Sequence, residues 1–261
     1  MQLRAIFYKQ IIHLLLLSTG VIINFVNAAE LNSLNFLTES YPPYNFEENG
    51  QLKGVGVDLL ISASNKANSP ISANAIKLQP WARAYREALK QPGTVLFSTT
   101  KTAEREPLFK WVGPISSTRI VALAKKSSGI TIQRDTDLKQ HDILAIRDDV
   151  GEQLLISAGV PKGKIKLGTN AESIIKRLQS DRVKIWVYEE NVARWFLKQS
   201  GLNSADYEVV HVLTESEVYY AFNQSVDDSL VKKLQDAIEQ VKSEKAENGK
   251  TIYENILAKY N

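Results

Sequence analysis

The chain alternates between two patterns of apolar residues along most of its 261 positions. Short apolar runs predict strands at residues 34–38, 95–98, 120–124, 143–147, 164–167, 183–188, 209–213 and 218–222. Apolar positions that recur every three or four residues predict helices at residues 57–67, 81–90, 151–158, 171–180, 191–199, 228–242 and 252–260. Strands alternating with helices in this way are typical of an α/β fold with mostly parallel sheets.

The first 28 residues have the pattern of a secretory signal peptide. Arg4 and Lys9 form a short basic segment, residues 11–23 are mainly apolar, and small residues follow up to Ala29. We predict cleavage after Ala28 and export of the remaining chain to the periplasm. The alternative is an uncleaved membrane anchor, but polar residues interrupt the apolar stretch before it reaches the length of a membrane span.

Charge and cysteine content exclude several classes of function. Removing residues 1–28 takes away Arg4 and Lys9 and no acid, which leaves 30 basic and 29 acidic residues. This near-neutral balance does not indicate a nucleic acid or an anionic membrane surface as partner. The chain has no cysteine, so disulfides, thiol catalysis and a lipidated N-terminal cysteine are excluded. We expect a monomer.

The sequence carries no motif for a cofactor, a metal or catalysis. The segment Gly54-Val55-Gly56 lacks the third glycine of a dinucleotide site and the lysine of a phosphate-binding loop, so it is interpreted as a loop that enters a helix. A Gly-x-Ser-x-Gly elbow and a His-Glu-x-x-His pair are also missing. We therefore predict a protein without cofactor or metal that binds rather than catalyses.

An aromatic, proline-rich loop follows the first predicted strand. In Tyr41-Pro42-Pro43-Tyr44, the prolines fix an extended backbone from which the aromatic rings project. Ligands of α/β proteins bind beyond the carboxyl ends of strands, which makes Tyr41 and Tyr44 candidate ligand contacts. Trp81, also at a strand end, is a third candidate. The alternative for each ring is packing in the core or within its own loop.

Hydroxyl side chains and an arginine follow the strand at residues 95–98. Ser98, Thr100 and Arg105 together offer hydroxyl groups and a guanidinium fork, which binds both oxygens of a carboxylate at once. The alternative is that Arg105 is solvated beside Glu104 on a surface loop. These residues are candidates for a carboxylate-binding site.

The motifs occur in an order that resembles a known family. Tyr-Pro-Pro-Tyr, Asn-Gly, Gly-Val-Asp-Leu, Pro-Trp-x-Arg, Thr-x-Glu-Arg and Phe-Lys-Trp-Val-Gly-Pro follow one another between residues 41 and 114. This order resembles the bacterial solute-binding proteins of family 3, the polar amino-acid binding components of ABC importers. The resemblance runs from about residue 34 to the end of the chain.

The resemblance implies a two-lobed periplasmic binding protein fold of type II. Each lobe would be a mixed, mostly parallel sheet flanked by helices, with the ligand cleft between the lobes. Residues 29–118 and 212–261 would form lobe 1, and residues 119–211 would form lobe 2. We expect the chain to cross between the lobes on short extended segments.

The resemblance also implies roles for the charged candidates. Arg105 would clamp the α-carboxylate of the ligand, with hydrogen bonds from Ser98 and Thr100. Glu189 follows a predicted strand of lobe 2 and would bind the α-ammonium group. The family usually has the shorter aspartate at this position, so the ammonium group would sit differently here. The neighbouring Glu190 is the alternative for that role.

The pocket walls follow from the same resemblance. Tyr41 or Tyr44 and Trp81 would sandwich the ligand. The segment Arg147-Asp148-Asp149 departs from the family, which usually has a glycine–threonine pair that offers backbone donors. Asp149 thereby becomes a candidate ligand contact, and the three charged side chains leave open a cationic, peptide-like or non-amino-acid ligand.

These residues predict a protein that captures a small polar ligand, an amino acid, and delivers it to the permease of an ABC importer. One alternative is an enzyme like the periplasmic cyclohexadienyl dehydratases of the same fold, with Trp186, Tyr188 and Glu189 in its cleft. The other alternative is a binding protein that reports to a membrane sensor.

Overall fold

A computed structural model describes residues 30–260. Within this range the strands are β1 (Asn35–Thr38), β2 (Phe46–Glu48), β3 (Gln51–Lys53), β4 (Lys77–Leu78), β5 (Thr94–Thr100), β6 (Phe109–Lys125), β7 (Ile143–Ile146), β8 (Ile165–Gly168), β9 (Ile185–Glu189) and β10 (Tyr207–Asn223). The α-helices are α1 (Val55–Lys66), α2 (Trp81–Lys90), α3 (Val150–Ser157), α4 (Ala171–Gln179), α5 (Glu190–Gln199), α6 (Asp228–Ser243) and α7 (Ile252–Leu257).

The predicted signal peptide, residues 1–28, lies outside the described residues. None of the helices between residues 30 and 260 combines the length and the apolar character that a membrane crossing requires. Location and processing of the chain therefore stay predictions from the sequence.

One mixed sheet of eight strands organises the molecule, in the order β4-β1-β5-β10-β6-β9-β7-β8. Strands β4, β1 and β5 are parallel at one end, and β9, β7 and β8 are parallel at the other. Between them, β6 and β10 run antiparallel to each other along their whole length. Helices flank the sheet, which confirms the α/β fold predicted from the alternating pattern.

Strands β6 and β10 connect the two ends of the sheet. Strand β10 pairs with β5 through residues 218–222, whereas β6 pairs with β9 through residues 120–124. We call the part around β4, β1 and β5 the first half, and the part around β9, β7 and β8 the second half. The surface on which the two halves meet is called the seam.

The predicted strands at the crossing between the halves are too short. The structure has two continuous strands of 17 residues, where the apolar runs predicted only residues 120–124, 209–213 and 218–222. The missed parts include Ser116–Thr118 and Thr214–Glu217, whose polar side chains interrupt the apolar pattern. Backbone hydrogen bonds between β6 and β10 continue through these positions, because ladder pairing does not depend on side-chain polarity.

The sheet of the second half is covered on both faces. Alternate residues of β9 belong to two apolar clusters: Trp186 and Tyr188 to the larger one, Ile185 and Val187 to the smaller one. Strands that are buried on both faces have continuous apolar runs, as β9 does. The larger cluster also contains core residues of the first half, so the two halves share a core across the seam.

A hairpin and a tight helix start shape the loop after β1. Asn49 and Gly50 both have positive φ, 54° and 75°, and join β2 to β3 as the Asn-Gly turn signal predicts. Helix α1 then begins at Val55, two residues before the predicted start. Its N-cap Gly54 has a φ of 126°, and a Cβ there would lie 2.3 Å from the carbonyl oxygen of Tyr44.

Candidate ligand-binding site

Five of the eight residues that the sequence proposed as ligand contacts touch the opposite half: Tyr41, Tyr44, Trp81, Arg105 and Glu189. Ser98 and Thr100 form hydrogen bonds within the first half. All eight are at most 6% exposed. The first half contributes six of them and the second half two. They are Tyr41, Tyr44, Trp81, Ser98, Thr100, Arg105, Asp149 and Glu189.

Arg105 lies at the seam on the first half and reaches the second. Its guanidinium carbon lies 5.1 Å from the ring centres of both Trp81 and Tyr85. Nε donates to Oε1 of Gln153 on α3 at 2.9 Å, and Nη1 donates to the carbonyl of Thr100 at 3.4 Å. Nη2 is buried and has no hydrogen-bond partner among the described residues. Burial lowers the pKa of Arg105, and nearby Asp149 opposes that shift.

Asp149 brings a buried carboxylate to the same place from the second half. It follows β7 as the N-cap residue of α3, and it is 4% exposed. Its Oδ2 atom has no hydrogen-bond partner within residues 30–260. Burial raises the pKa of Asp149, while the positive charge of Arg105 acts in the opposite direction. The guanidinium and this carboxylate therefore each keep a polar atom available at the seam.

Glu189 ends β9 and caps α5. Its Oε2 accepts a hydrogen bond of 2.7 Å from the backbone N–H of Val192, and Oε1 accepts one of 3.3 Å from the hydroxyl of Tyr44 across the seam. Burial raises the pKa of Glu189 to about 7. Glu190 instead forms ion pairs with Arg119 and Arg194. Of the two glutamates, Glu189 is thus the one in contact with the first half.

The aromatic rings of the loop after β1 pack against β9. The ring centre of Tyr41 lies 5.6 Å from that of Tyr44 and 5.6 Å from that of Tyr188, which it meets edge-on. Tyr188 in turn stacks on Trp186, with 5.2 Å between the ring centres. Trp81 of the first half also reaches the second half, where its Nε1 donates to the carbonyl of Asp148 at 2.8 Å. The aromatic candidates therefore form part of the contact between the halves.

Ser98 and Thr100 hold other parts of the site in place. The Ser98 hydroxyl donates to the side-chain carbonyl of Asn45, whose Nδ2 in turn donates to the carbonyl of Glu39. Thr100 contributes the carbonyl that accepts from Arg105. In this arrangement the Ser98 hydroxyl fixes the aromatic loop, and both residues position their neighbours.

Sequence reasoning missed several residues of the seam. Tyr188 and Trp186 appeared only in the enzymatic alternative, although their spacing of two on a strand places them on one face. Glu39 was missed entirely, although it directly follows β1, where ligands of α/β proteins bind. It is 9% exposed, and burial together with Asp149 raises its pKa. Gln153 gave no signal, because its contact with Arg105 depends on how the halves pack.

Three open cavities surround the buried residues. One of about 320 Å³ reaches Arg105 and Gln153, and one of about 410 Å³ reaches Glu189 and Arg119. A third, of about 250 Å³, is lined by Glu39 of the first half and Glu172 of the second. The described residues include no group of three or more histidine or acidic side chains that could hold a metal ion. Charged and polar side chains therefore line the cavities at the edges of the seam.

Comparisons with known proteins agree with this architecture. A family model for bacterial extracellular solute-binding proteins, family 3, matches residues 35–253. The solved structure of a histidine kinase sensor domain with similarity to periplasmic binding proteins is 17% identical, with a TM-score of 0.73 over 87% of this chain and 95% of that chain. No curated protein matches the chain.

Two further solved structures have the same fold. A substrate-binding protein of an ABC uptake transporter from Streptococcus pneumoniae, with bound histidine, is 20% identical, with a TM-score of 0.71 over 88% of this chain and 92% of that chain. An ancestral arginine-binding protein bound to arginine is 22% identical, with a TM-score of 0.70 over 88% and 99%. The family match covers most of the chain and confirms the resemblance seen in the order of motifs. This chain belongs to the bacterial extracellular solute-binding proteins of family 3.

Proposed function

We propose that this protein is a periplasmic binding protein that captures a small zwitterionic solute, an amino acid, and delivers it to an ABC importer. One observation carries the proposal: a buried guanidinium and a buried carboxylate, Arg105 and Glu189, lie at the seam, and each has a partner on the opposite half. A zwitterion offers each of them the opposite charge.

Arg105 is the group that we assign to the ligand carboxylate. Its Nε and Nη1 atoms are held by Gln153 and Thr100, while Nη2 has no partner in the described part of the chain. A carboxylate oxygen at Nη2 would supply the missing acceptor, and charge-assisted hydrogen bonds of this kind are about twice as strong as neutral ones. Glu189, beside the rings of Tyr44 and Tyr41, is assigned to the ligand ammonium, where carboxylate and aromatic faces both favour a cation.

The proposal divides the chain into two moving lobes. Lobe 1 comprises residues 29–118 and 212–261, lobe 2 comprises residues 119–211, and β6 and β10 form the hinge between them. A ligand that contacts Arg105 on one lobe and Glu189 on the other makes both contacts only in the closed state, so it shifts the equilibrium toward closure. A membrane permease could then recognise the closed form.

Known relatives support binding as the function. The structures with this fold include proteins named for arginine binding and an ABC transporter component with bound histidine. At these identities they support the fold that the proposed mode of binding requires.

A ligand screen tests the proposal. Residues 29–261 are purified, and the melting temperature is measured with each of the common amino acids, with small peptides, with sugars and with prephenate-like acids. A ligand at 100 times its Kd stabilises the folded state by about 2.7 kcal/mol, which raises the melting temperature by several degrees. A shift with amino acids supports the proposal, and no shift with any of them contradicts it.

Two variants of Arg105 test its assignment. Arg105→Ala should weaken binding of the amino-acid ligand by about 2–3 kcal/mol, because it leaves the carboxylate without its charged partner. Arg105→Lys keeps the charge in the seam but loses the fork, and it should also weaken binding. Arg86→Ala, exposed on α2, is the control. Titration calorimetry measures all three, and an unchanged Kd in both Arg105 variants would remove the assignment.

Two other functions each have a specific observation in their favour. Similarity to a histidine kinase sensor domain supports a binding protein that reports to a receptor. The raised pKa of Glu189, about 7, suits a general acid and supports a dehydratase-like enzyme. The enzyme would be favoured if a new product forms from prephenate-like acids in the ligand screen. The sensor would be favoured if a purified receptor domain binds the protein only when ligand is present.

A further inference from the structure

The 320 Å³ cavity beside Arg105 lies between the two halves and combines one guanidinium with apolar side chains. The first half lines it with Tyr85, Glu104, Arg105 and Leu108, and the second half lines it with Gln153, Ile156 and Ser157. The three residues of the second half are spaced by three and four along α3, so they form one face of that helix. Hydrogen bonds from this face to Arg105 and Glu104 show that it is turned toward the first half.

The polar side chains of the lining are largely paired with one another. The hydroxyl of Ser157 donates to Oε1 of Glu104 across the seam at 2.8 Å, and Oε1 of Gln153 accepts from Nε of Arg105 at 2.9 Å. Nη2 of Arg105, by contrast, is buried and has no hydrogen-bond partner within residues 30–260. The side chains that remain are apolar, apart from the hydroxyl of Tyr85. The cavity therefore offers a ligand one buried N–H donor group beside an apolar surface.

The apolar part of this surface is contributed by both halves. Leu108 and Ile156 are 39% and 43% exposed, and with Leu78 they are the exposed large apolar side chains of the described residues. Single apolar residues on a surface are common and need no ligand to explain them. Leu108 and Ile156, however, belong to opposite halves and line the same cavity. An apolar group placed between them would remove both from water at once.

We propose that this cavity holds the side chain of the ligand, and that the ligand is an amino acid with a large apolar side chain, such as leucine or methionine. The inference rests on the proposed function, which places the ligand carboxylate at Arg105. The side chain of an amino acid is attached to the carbon next to its carboxylate, so it starts beside Arg105 and can enter the cavity that Arg105 lines. A polar side chain would give up hydrogen bonds to water there without gaining apolar burial.

The same contacts would couple the side chain of the ligand to closure. Leu108 moves with the first half and Ile156 with the second, so a side chain is buried against both only when the halves meet. The free energy of that burial is then available to the closed state alone, and it shifts the equilibrium toward closure. An apolar ligand would therefore favour the closed state more strongly than a polar amino acid of the same shape.

Amino-acid pairs of matched shape test the inference by titration calorimetry. Leucine is compared with asparagine and methionine with glutamine, because the members of each pair have similar size and differ in the polarity of the side chain. The apolar member of at least one pair should bind at least about tenfold more tightly to the wild-type protein.

Variants of the two apolar residues test the place of the side chain. Leu108→Gln and Ile156→Gln change exposed residues, so the folded core stays intact. Each should lower the ratio of apolar to polar affinity by about threefold, and the double variant should bring it below about twofold. Leu78→Gln is the control, because it makes the same change at a residue of similar exposure outside this lining. Its ratio should equal that of the wild type.

The outcomes separate this inference from the proposed function. Equal or tighter binding of the polar members, or an unchanged ratio in the double variant, would overturn the apolar subsite and leave amino-acid binding in place. A ratio that falls in Leu78→Gln and stays unchanged in Leu108→Gln and Ile156→Gln would also overturn it, because the side chain would then lie elsewhere. No binding of any amino acid would reject both the subsite and the proposed function.

Discussion

Burial gives a few charged residues of this chain properties that the others lack. Arg105 and Glu189 are at most 1% exposed, while most acids and bases of the chain lie on its surface. Removing a charge from water is costly, so each of these groups is held by directed hydrogen bonds, as Glu189 is by Val192 and Tyr44. In the proposed mechanism, protonation, ligand binding and closure would therefore influence one another at the seam.

The pH dependence of stability should report on Glu189. Its folded-state pKa of about 7 lies above its ordinary value of 4.5, so between these pH values the folded protein keeps a proton that the unfolded chain releases. The contribution of Glu189 to stability is therefore fully present below pH 4.5 and is lost as the pH rises toward 7. Glu189→Gln, which resembles the protonated acid, should raise the melting temperature of the ligand-free protein at pH 8 by about 5 °C.

Melting curves of the wild type and of Glu189→Gln from pH 4 to pH 8 check this prediction. The difference in melting temperature between the two proteins should grow with pH. The control is Glu47→Gln, a change at an exposed glutamate of β2, which should follow the wild type throughout. Parallel curves for the wild type and Glu189→Gln would mean that Glu189 keeps an ordinary pKa in the folded protein.

At the scale of elements, the aromatic loop after β1 is fixed by the start of α1. The backbone N–H of Val55 donates to the carbonyl of Pro43 at 3.1 Å, and that of Gly56 donates to the carbonyl of Tyr44 at 2.8 Å. Gly54 allows this approach because it has no side chain and adopts a φ of 126°. The position of the loop that carries Tyr41 and Tyr44 therefore depends on Gly54.

Gly54→Ala should disturb the loop and the binding site together. The new Cβ would lie 2.3 Å from the carbonyl oxygen of Tyr44, which forces the backbone to move. We expect a loss of at least about 2 kcal/mol in the free energy of unfolding and weaker ligand binding. Gly163→Ala, where a Cβ meets nothing within 4 Å, is the control. Urea denaturation measures both, and equal stability of the two variants would contradict the packing argument.

On the scale of the whole molecule, hydrogen bonds and ring contacts between the halves compete with opening. The indole N–H of Trp81 donates to the carbonyl of Asp148 across the seam at 2.8 Å, and Phe46 contacts Trp195 at 5.9 Å between ring centres. The chain passes between the halves through strands β6 and β10. Opening would therefore break the contacts of the seam while the two long strands bend.

Trp81→Phe should shift the ligand-free protein toward the open state. It removes one hydrogen bond across the seam, worth about 1 kcal/mol, which changes the ratio of closed to open molecules by about fivefold. Trp111→Phe is the matched control, because that indole donates to Glu106 within the first half at 3.0 Å. Small-angle X-ray scattering should show a larger radius of gyration for Trp81→Phe only. The same radius in both variants would mean that the Trp81 bond does not hold the halves together.

The sequence by itself determined the secondary structure of the second half and the family of the protein. Apolar periodicity predicts α4 at residues 171–180, where the structure has it at Ala171–Gln179, and the ordered motifs identified the family. These signals are local: strand and helix periods depend on which side of an element is buried, and motifs need only their spacing. Residues such as Arg105 and Tyr41 could be selected because their types and positions suit a ligand.

Only the tertiary structure decided what crosses the seam. The continuity of β6 and β10 depends on backbone pairing through polar stretches that carry no apolar signal. The contact of Arg105 with Gln153 and the contact of Tyr44 with Glu189 depend on how the two halves approach one another. Residues far apart in the chain become neighbours only through that packing, and no pattern within either segment records the distance between them.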